Sequence, residues 1–204
     1  PTFDASTIID EKQGITDTLY QPSLTLEENT LYYWRVQPTN RCGEAPVSFP
    51  QAFHTESIDC GEVAADNVPL NISASGTPKV QSVITVTADG MISDLNIPVL
   101  KGAHDLVKHL DVSLIGPDGT EVVLFSDLCG NTSFFNLGFD DEGPTEIPCP
   151  PLGASVHQPQ NPLSAFDGQS TKGDWTLQAE VINTAGEGGA IDAWSIEFCS
   201  NIRI

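Results

Sequence analysis

Apolar residues recur at every second position in short runs, and Gly, Pro, Asn or Asp ends each run before it lengthens. Period two is the spacing of a β-strand with one buried face, and no stretch of the chain carries the 3.6-residue period of a helix. Lys79 to Ala88 (KVQSVITVTA) is the first clear run. Ile92 to Leu100 follows, with Leu95, Ile97 and Val99 predicted on one face. Leu110, Val112 and Leu114 point inward from the next run, Gly116-Pro117-Asp118-Gly119 turns the chain, and Glu121 to Ser126 returns. After a long loop, Trp175, Leu177, Ala179 and Val181 mark another strand, and Trp194, Ile196 and Phe198 mark the last. Many short strands punctuated by Pro and Gly predict an all-β chain built as an antiparallel sandwich or jelly roll.

Charge narrows the partners. Against 28 acidic residues stand 8 basic ones, for a net charge of −20. Phosphate backbones and anionic lipid surfaces would repel such a chain, which excludes nucleic acid and membrane surfaces as partners. The acid is dispersed and not blocked, as expected of a solvated folded surface. Two physical uses remain for it: solubility outside the cell, and binding of hard cations. No run of about 18 apolar residues is present, so no helix is expected to span a membrane. The sequence opens at Pro1 in mid-pattern, which predicts excision from a longer precursor.

Of the five cysteines, none falls in a CxxC pair, which argues against zinc or thioredoxin-like chemistry. Cys129 and Cys149 flank a loop rich in Gly, Asn, Asp and Pro, and are the favoured disulfide. By loop length that bridge is worth about 3 kcal/mol in the chain-entropy account. Cys60 can pair with Cys42, or with Cys199 to tie the ends of the second segment together. An odd count leaves one cysteine over. Disulfides imply an oxidising compartment, so the protein is expected to be secreted and extracellular.

Residues 1–57 form the first predicted domain. Leu26, Thr30, Tyr32, Trp34 and Val36 resemble the E–F corner and F strand of fibronectin type III modules. By that resemblance Tyr32 makes the tyrosine corner and the alternate residues after it fill a sandwich core. Asn40 to Gly43 resembles the F–G turn, and Phe49 to Thr55 the last strand, with Phe53 inward. Such a sandwich takes about 100 residues. The segment is therefore expected to be a partial module that holds only the later strands, with the earlier ones truncated or supplied by another element.

Residues 58–204 form the second. His104-Asp105-Leu106-Val107-Lys108-His109-Leu110-Asp111-Val112-Ser113-Leu114-Ile115-Gly116-Pro117-Asp118-Gly119-Thr120 resembles the HTxxxDLxVxLxSPxGT signature of the P (Homo B) domains of proprotein convertases. Further matches follow in family order: Phe139-Asp140-Asp141-Glu142, Pro162 to Gly168, Gly173-Asp174-Trp175-Thr176-Leu177, and Gly189 to Ile196. One departure is His109, where the family usually has Asp. The resemblance implies a jelly roll appended to a secreted protease, and a module that supports folding, stability or substrate engagement without catalysing anything itself. Its partner would be the parent's catalytic domain, with a protein or polysaccharide substrate as a further partner. Company with a fibronectin-like segment and the Cys129/Cys149 loop points to the bacterial metalloprotease branch over the subtilisin-like one.

No catalytic residue is assigned. The sequence lacks GxSxG, HExxH and any thiol-protease context for its four histidines. His104 matches the family's recurrent histidine and is expected to hydrogen-bond a loop. Calcium is the one expected cofactor, since it needs six to eight hard oxygens from acidic turns. The candidate ligands are Asp140, Asp141 and Glu142 in a Gly- and Pro-rich loop, Asp167 and Asp174 around the turn before Trp175, and Asp111. Asp in turns also serves backbone hydrogen bonding alone. Asn71-Ile-Ser and Asn131-Thr-Ser are glycosylation sequons. The rival function is a carbohydrate- or protein-binding adhesion module, in which Phe134 and Phe135 contact a polymer instead of plugging the core.

Overall fold

In the computed structural model the alternating runs become strands, and the structure describes residues 3–55, 58–183 and 188–201. Pro1, on which the expectation of excision rests, lies outside them. The chain divides into two units, Pro1–Ser57 and Ile58–Ile204.

The first unit holds β1 (Leu31–Trp34), β2 (Thr39–Asn40), β3 (Gly43–Glu44) and β4 (Gln51–His54). β1 pairs antiparallel with β4, and β2 with β3. The Tyr32 hydroxyl oxygen accepts the Glu27 amide at 2.9 Å in a corner contact, and its ring stacks on Phe53 with centroids 5.7 Å apart. The expected core does not form around it. Trp34 is 48% exposed, and Val36 and Phe53 also face solvent. A two-stranded ribbon has no second sheet of its own to close over those side chains.

The second unit contains β5 (Ile58–Ala64), β6 (Leu70–Ile72), β7 (Lys79–Val86), β8 (Met91–His104), β9 (Leu110–Ile115), β10 (Glu121–Phe125), β11 (Phe134–Phe139), β12 (Ser155–His157), β13 (Gly173–Val181) and β14 (Gly189–Asn201). Four of them make one sheet in the order β10-β9-β13-β7. The other sheet runs β12-β11-β8-β14-β5, with β6 also on β14. The non-sequential order is that of a jelly roll, whose two sheets face each other over a single core.

That core is what the period-two pattern points at. Leu110, Val112 and Leu114 of β9, Trp175, Leu177, Ala179 and Val181 of β13, and Trp194, Ile196 and Phe198 of β14 are all buried. Trp175 lies edge-on to Phe166 at 5.1 Å and tilted against Phe198 at 5.0 Å. Inside the core Trp194 Nε1 donates to Ser82 Oγ at 2.6 Å, and Ser82 in turn donates to Asn67. A buried indole N–H without an acceptor would cost about 1–3 kcal/mol, so the chain of hydroxyl and amide specifies where Trp194 sits.

The face expected for β8 changes midway. Leu95 and Ile97 are buried as expected, but Val99 turns out to solvent and Leu100 is buried in its place. Ile97 faces Phe139 across the ladder and Leu100 faces Leu137, so β8 holds one residue more than β11 over that interval. Pro98 cannot donate to a ladder, and a bulge there moves the inward side from odd to even positions. Between β9 and β10 the turn is fixed by Asp118, which accepts the Thr120 amide at 2.9 Å and the Thr120 hydroxyl at 3.0 Å. Gly119 takes φ +90, which an L side chain would resist.

Cys60 pairs with Cys199, and Cys129 with Cys149. The Cys42–Cys60 alternative is not formed: Cys60 faces Cys199 directly in the β5–β14 ladder, and Cys42 is left free and exposed in the first unit.

Candidate functional site

Carboxylates gather where β11 ends and the 3-10 turn Leu163–Phe166 begins. Asp141 is structural there. Its two oxygens accept the Leu163 and Ser164 amides, each at 2.8 Å, and so satisfy donors that the short turn leaves without partners. Asp140 accepts the Glu142 amide at 2.7 Å in an Asx turn. Asp141→Ala is therefore expected to cost about 1–2 kcal/mol, the usual penalty for a lost cap, with Asp141→Asn in between. Urea unfolding measures this, and an unchanged midpoint would mean the turn holds itself.

No cation answers this loop among its described neighbours, and two groups respond. Glu142 is held above the ordinary carboxylate range, first by sharing a proton with Asp140 and then by burial and the charges of Asp140 and Asp94. Asp167 is pushed up by burial and by the charges of Asp94 and Asp141. Asp94, on β8, escaped the sequence reading because a lone Asp inside a strand run gives no turn or motif signal.

The expected ligands do not converge. Asp140, Asp141, Glu142 and Asp167 share this region with Asp94. Asp111 instead accepts the Ser126 hydroxyl at 2.6 Å on the four-stranded sheet, and Asp174 accepts the Thr85 hydroxyl at 2.7 Å from β7. Among the described residues no three His, Cys, Asp or Glu side chains stand close enough together to hold a metal ion as placed. An ion binding here would have to draw the loop carboxylates inward.

The histidines have other work. His104 is buried with Nδ1 2.8 Å from the Leu106 carbonyl, holding the segment after β8 as the sequence predicts. His109, at the position where the family usually has Asp, places Nε2 3.3 Å from Asn183 Nδ2. His157 shares a hydrogen bond with Thr145 at 3.0 Å, but no carboxylate orients its other ring nitrogen among the described residues, so the pair lacks the third member of a triad. Of the two candidate polymer-contacting rings, Phe135 is buried against Phe125 at 5.6 Å, whereas Phe134 is 62% exposed.

Comparison with known proteins adds the following. No curated protein sequence matches the chain. Among solved structures, the chain is similar to a serine protease of Aeromonas sobria, at 12% identity and a TM-score of 0.43, over 70% of this chain and 26% of that one. It is also similar to a chain in the complex of the Aeromonas sobria serine protease with the chaperone ORF2, at 11% identity and a TM-score of 0.44, over 83% of this chain and 36% of that one. The chain thus spans roughly a quarter to a third of the chains it matches, and likenesses this distant carry no functional argument. Residues 99–198, the stretch from the bulged half of β8 through Phe198, match the family model described as Proprotein convertase P-domain.

Proposed function

We propose that the chain is a non-catalytic accessory module of a secreted protease, and that its P domain supports the folding and stability of the parent's catalytic domain. The observation that carries this reading is the match of residues 99–198 to the P-domain family on a closed jelly roll. Deleting residues 58–204 from the parent protein tests it. The yield of folded, active enzyme should fall several-fold, and an unchanged yield would count against the reading. The purified chain itself should release no product from casein or a fluorogenic peptide.

In this reading the parent is a metalloprotease, a preference supported only by the fibronectin-like segment and the Cys129/Cys149 loop. The coding sequence upstream decides it: an HExxH supports the preference, and a subtilisin-type Asp, His and Ser set overturns it. The first unit belongs to the reading as the later strands of a fibronectin type III module, supported by the Tyr32 oxygen accepting the Glu27 amide. A polymer-binding role is favoured by one observation, the exposed ring of Phe134. Retention on insoluble collagen, chitin or cellulose that Phe134→Ala abolishes would support that role over the first.

Calcium stabilisation belongs to the proposal at the loop of Asp94, Asp140, Asp141, Glu142 and Asp167, where an ion would relieve carboxylate repulsion. Glu142 and Asp167 hold protons more tightly in the folded chain than unfolded, so their contribution to stability falls as pH rises through the raised values. Calcium should therefore raise the melting temperature at neutral pH, and the gain should shrink on acidification as Glu142 and Asp167 take up their protons. No change in melting temperature with chelator at neutral pH would leave these residues as solvated turns.

A further inference from the structure

Most of the second unit's surface is acidic, and one face is not. On the outer side of the four-stranded sheet stand Asp111, Glu121 and Glu180, with Lys79 beside them. The loop after β11 carries Asp140 and Glu142, close to Asp94. Across the first half of β8 the ladder sets Asn96 beside Glu197, and Glu197 beside Glu62. The second half of β8, with β11 and β12, presents something else.

Alternation shows what that half turns to solvent. Phe135, Leu137 and Phe139 of β11 point into the core, so Phe134 and Asn136 point outward, and Phe134 is 62% exposed. The β8 bulge turns Val99 out, and Lys101, opposite Asn136 in the ladder, is exposed two residues on. Val156 of β12 fills the outward position that Gly138 leaves empty: a Cβ on Gly138 would stand 3.2 Å from Val156 Cγ2. The Asn136 amide donates to the Pro151 carbonyl and the Ala154 amide to the Asn136 carbonyl, which brings exposed Leu152 to the same edge. Between these side chains the floor is low, since Ala103 faces Phe134 and Ala193 faces Lys101. Outward positions of a solvated antiparallel sheet are ordinarily polar, and contiguous apolar ones mark an interaction surface.

Lys101 is the one charged side chain in this set. Among the described residues the salt bridge is Lys79 with Glu180, so Lys101 stands without an ion-pair partner. The carboxylates next to it along these strands are Asp192, at the β14 bulge, and Asp105, whose Oδ2 accepts the Gly188 amide at 3.0 Å.

We infer that the parent's catalytic domain docks on this face, through an apolar patch that carries a carboxylate for Lys101; the inference rests on the accessory role proposed above. Charge selects the seat. Docking on the other surfaces would bury carboxylates without partners, which is strongly destabilising. A buried Lys101 needs an acid for the same reason, and the docked surface supplies it. A second copy of this chain fits poorly, because it brings a net charge of −20 against −20 and, about an axis through this face, sets lysine against lysine. An uncharged polysaccharide offers Lys101 no carboxylate.

Lysine acetylation by N-hydroxysuccinimidyl acetate, read by mass spectrometry on the whole parent protein and on this chain alone, tests the assignment. Lys172, exposed just before β13, is the reference. In the chain alone Lys101 should react at a rate like that of Lys172. In the parent the reagent reaches Lys101 only in the undocked minority, about 10% of the population or less, so Lys101 should react about tenfold more slowly while Lys172 keeps its rate. Phe134→Ser should bring Lys101 in the parent back to within about twofold of its rate in the chain alone. Phe134 is largely exposed, so the substitution should leave the near-ultraviolet dichroism of the chain unchanged. Equal Lys101 rates in parent and chain overturn the inference, whatever removal of residues 58–204 does to the melting temperature, which tests the accessory role separately. So does protection that Phe134→Ser leaves intact, or protection that appears only when collagen, chitin or cellulose is added.

Discussion

Trp175→Ala is expected to cost the second unit about 3–5 kcal/mol, enough to unfold much of the population of a domain with ordinary stability. The indole is wholly buried between Phe166 and Phe198, one from the 3-10 turn and one from β14, so it joins the two sheets. Its Nε1 also donates to the Thr171 carbonyl at 2.8 Å. Alanine opens a cavity and leaves that buried carbonyl without its donor. Trp175→Phe keeps most of the volume and loses only the hydrogen bond, so it should fall well short of the alanine penalty. Urea unfolding followed by circular dichroism measures both. A loss under about 1 kcal/mol for alanine would mean that the two sheets are held together elsewhere.

The second large effect concerns the disulfides, and it ranks them. Cys60 and Cys199 close a loop spanning a sequence separation of 139, and Cys129 and Cys149 one of 20. In the chain-entropy account these contribute about 5 and about 3 kcal/mol. The double variant Cys60→Ser/Cys199→Ser should therefore be the less stable of the two, although its bridge lies on the exposed strand β5 at the edge of the sheet. Cys129→Ser/Cys149→Ser should lose less and keep the β11 ladder. Denaturant midpoints of the two variants decide the order. Equal losses, or the reverse order, would show that native-state contacts around the bridges outweigh loop closure.

Much of this architecture is legible from alternation alone, because burial on one face of a strand writes itself into every second residue. The inward sets of β9, β13 and β14 are those the sequence marks. Alternation fails at Pro98 because a bulge shifts the register by one residue, and a shift of one exchanges the faces. It also fails at Trp34 and Val36, where the pattern is that of a buried strand but, among the described residues of the first unit, both side chains stay exposed on a two-stranded ribbon. Pattern reports which side chains want burial and not whether a partner is there to bury them.

The acidic loop is less legible than the core. Sequence groups Asp140, Asp141 and Glu142 by adjacency, yet Asp141 is spent on capping the turn at Leu163, a partner 22 residues away. Asp111 and Asp174 are carboxylates of the same composition on the other sheet, each bonded to a hydroxyl one strand across or one turn on. Asp94 joins the cluster only through the folding of β8 beside the loop. Charge is visible in a sequence, but which charges meet is decided by topology.

The role proposed for residues 58–204 is to stabilise the catalytic domain of a parent protease. Scanning calorimetry of the parent protease, with and without residues 58–204, tests this most directly. The account predicts that the catalytic domain melts several degrees lower once the P domain is removed, as expected for the loss of a few kcal/mol of stabilising contacts. A catalytic domain that melts at the same temperature with or without residues 58–204 would contradict it.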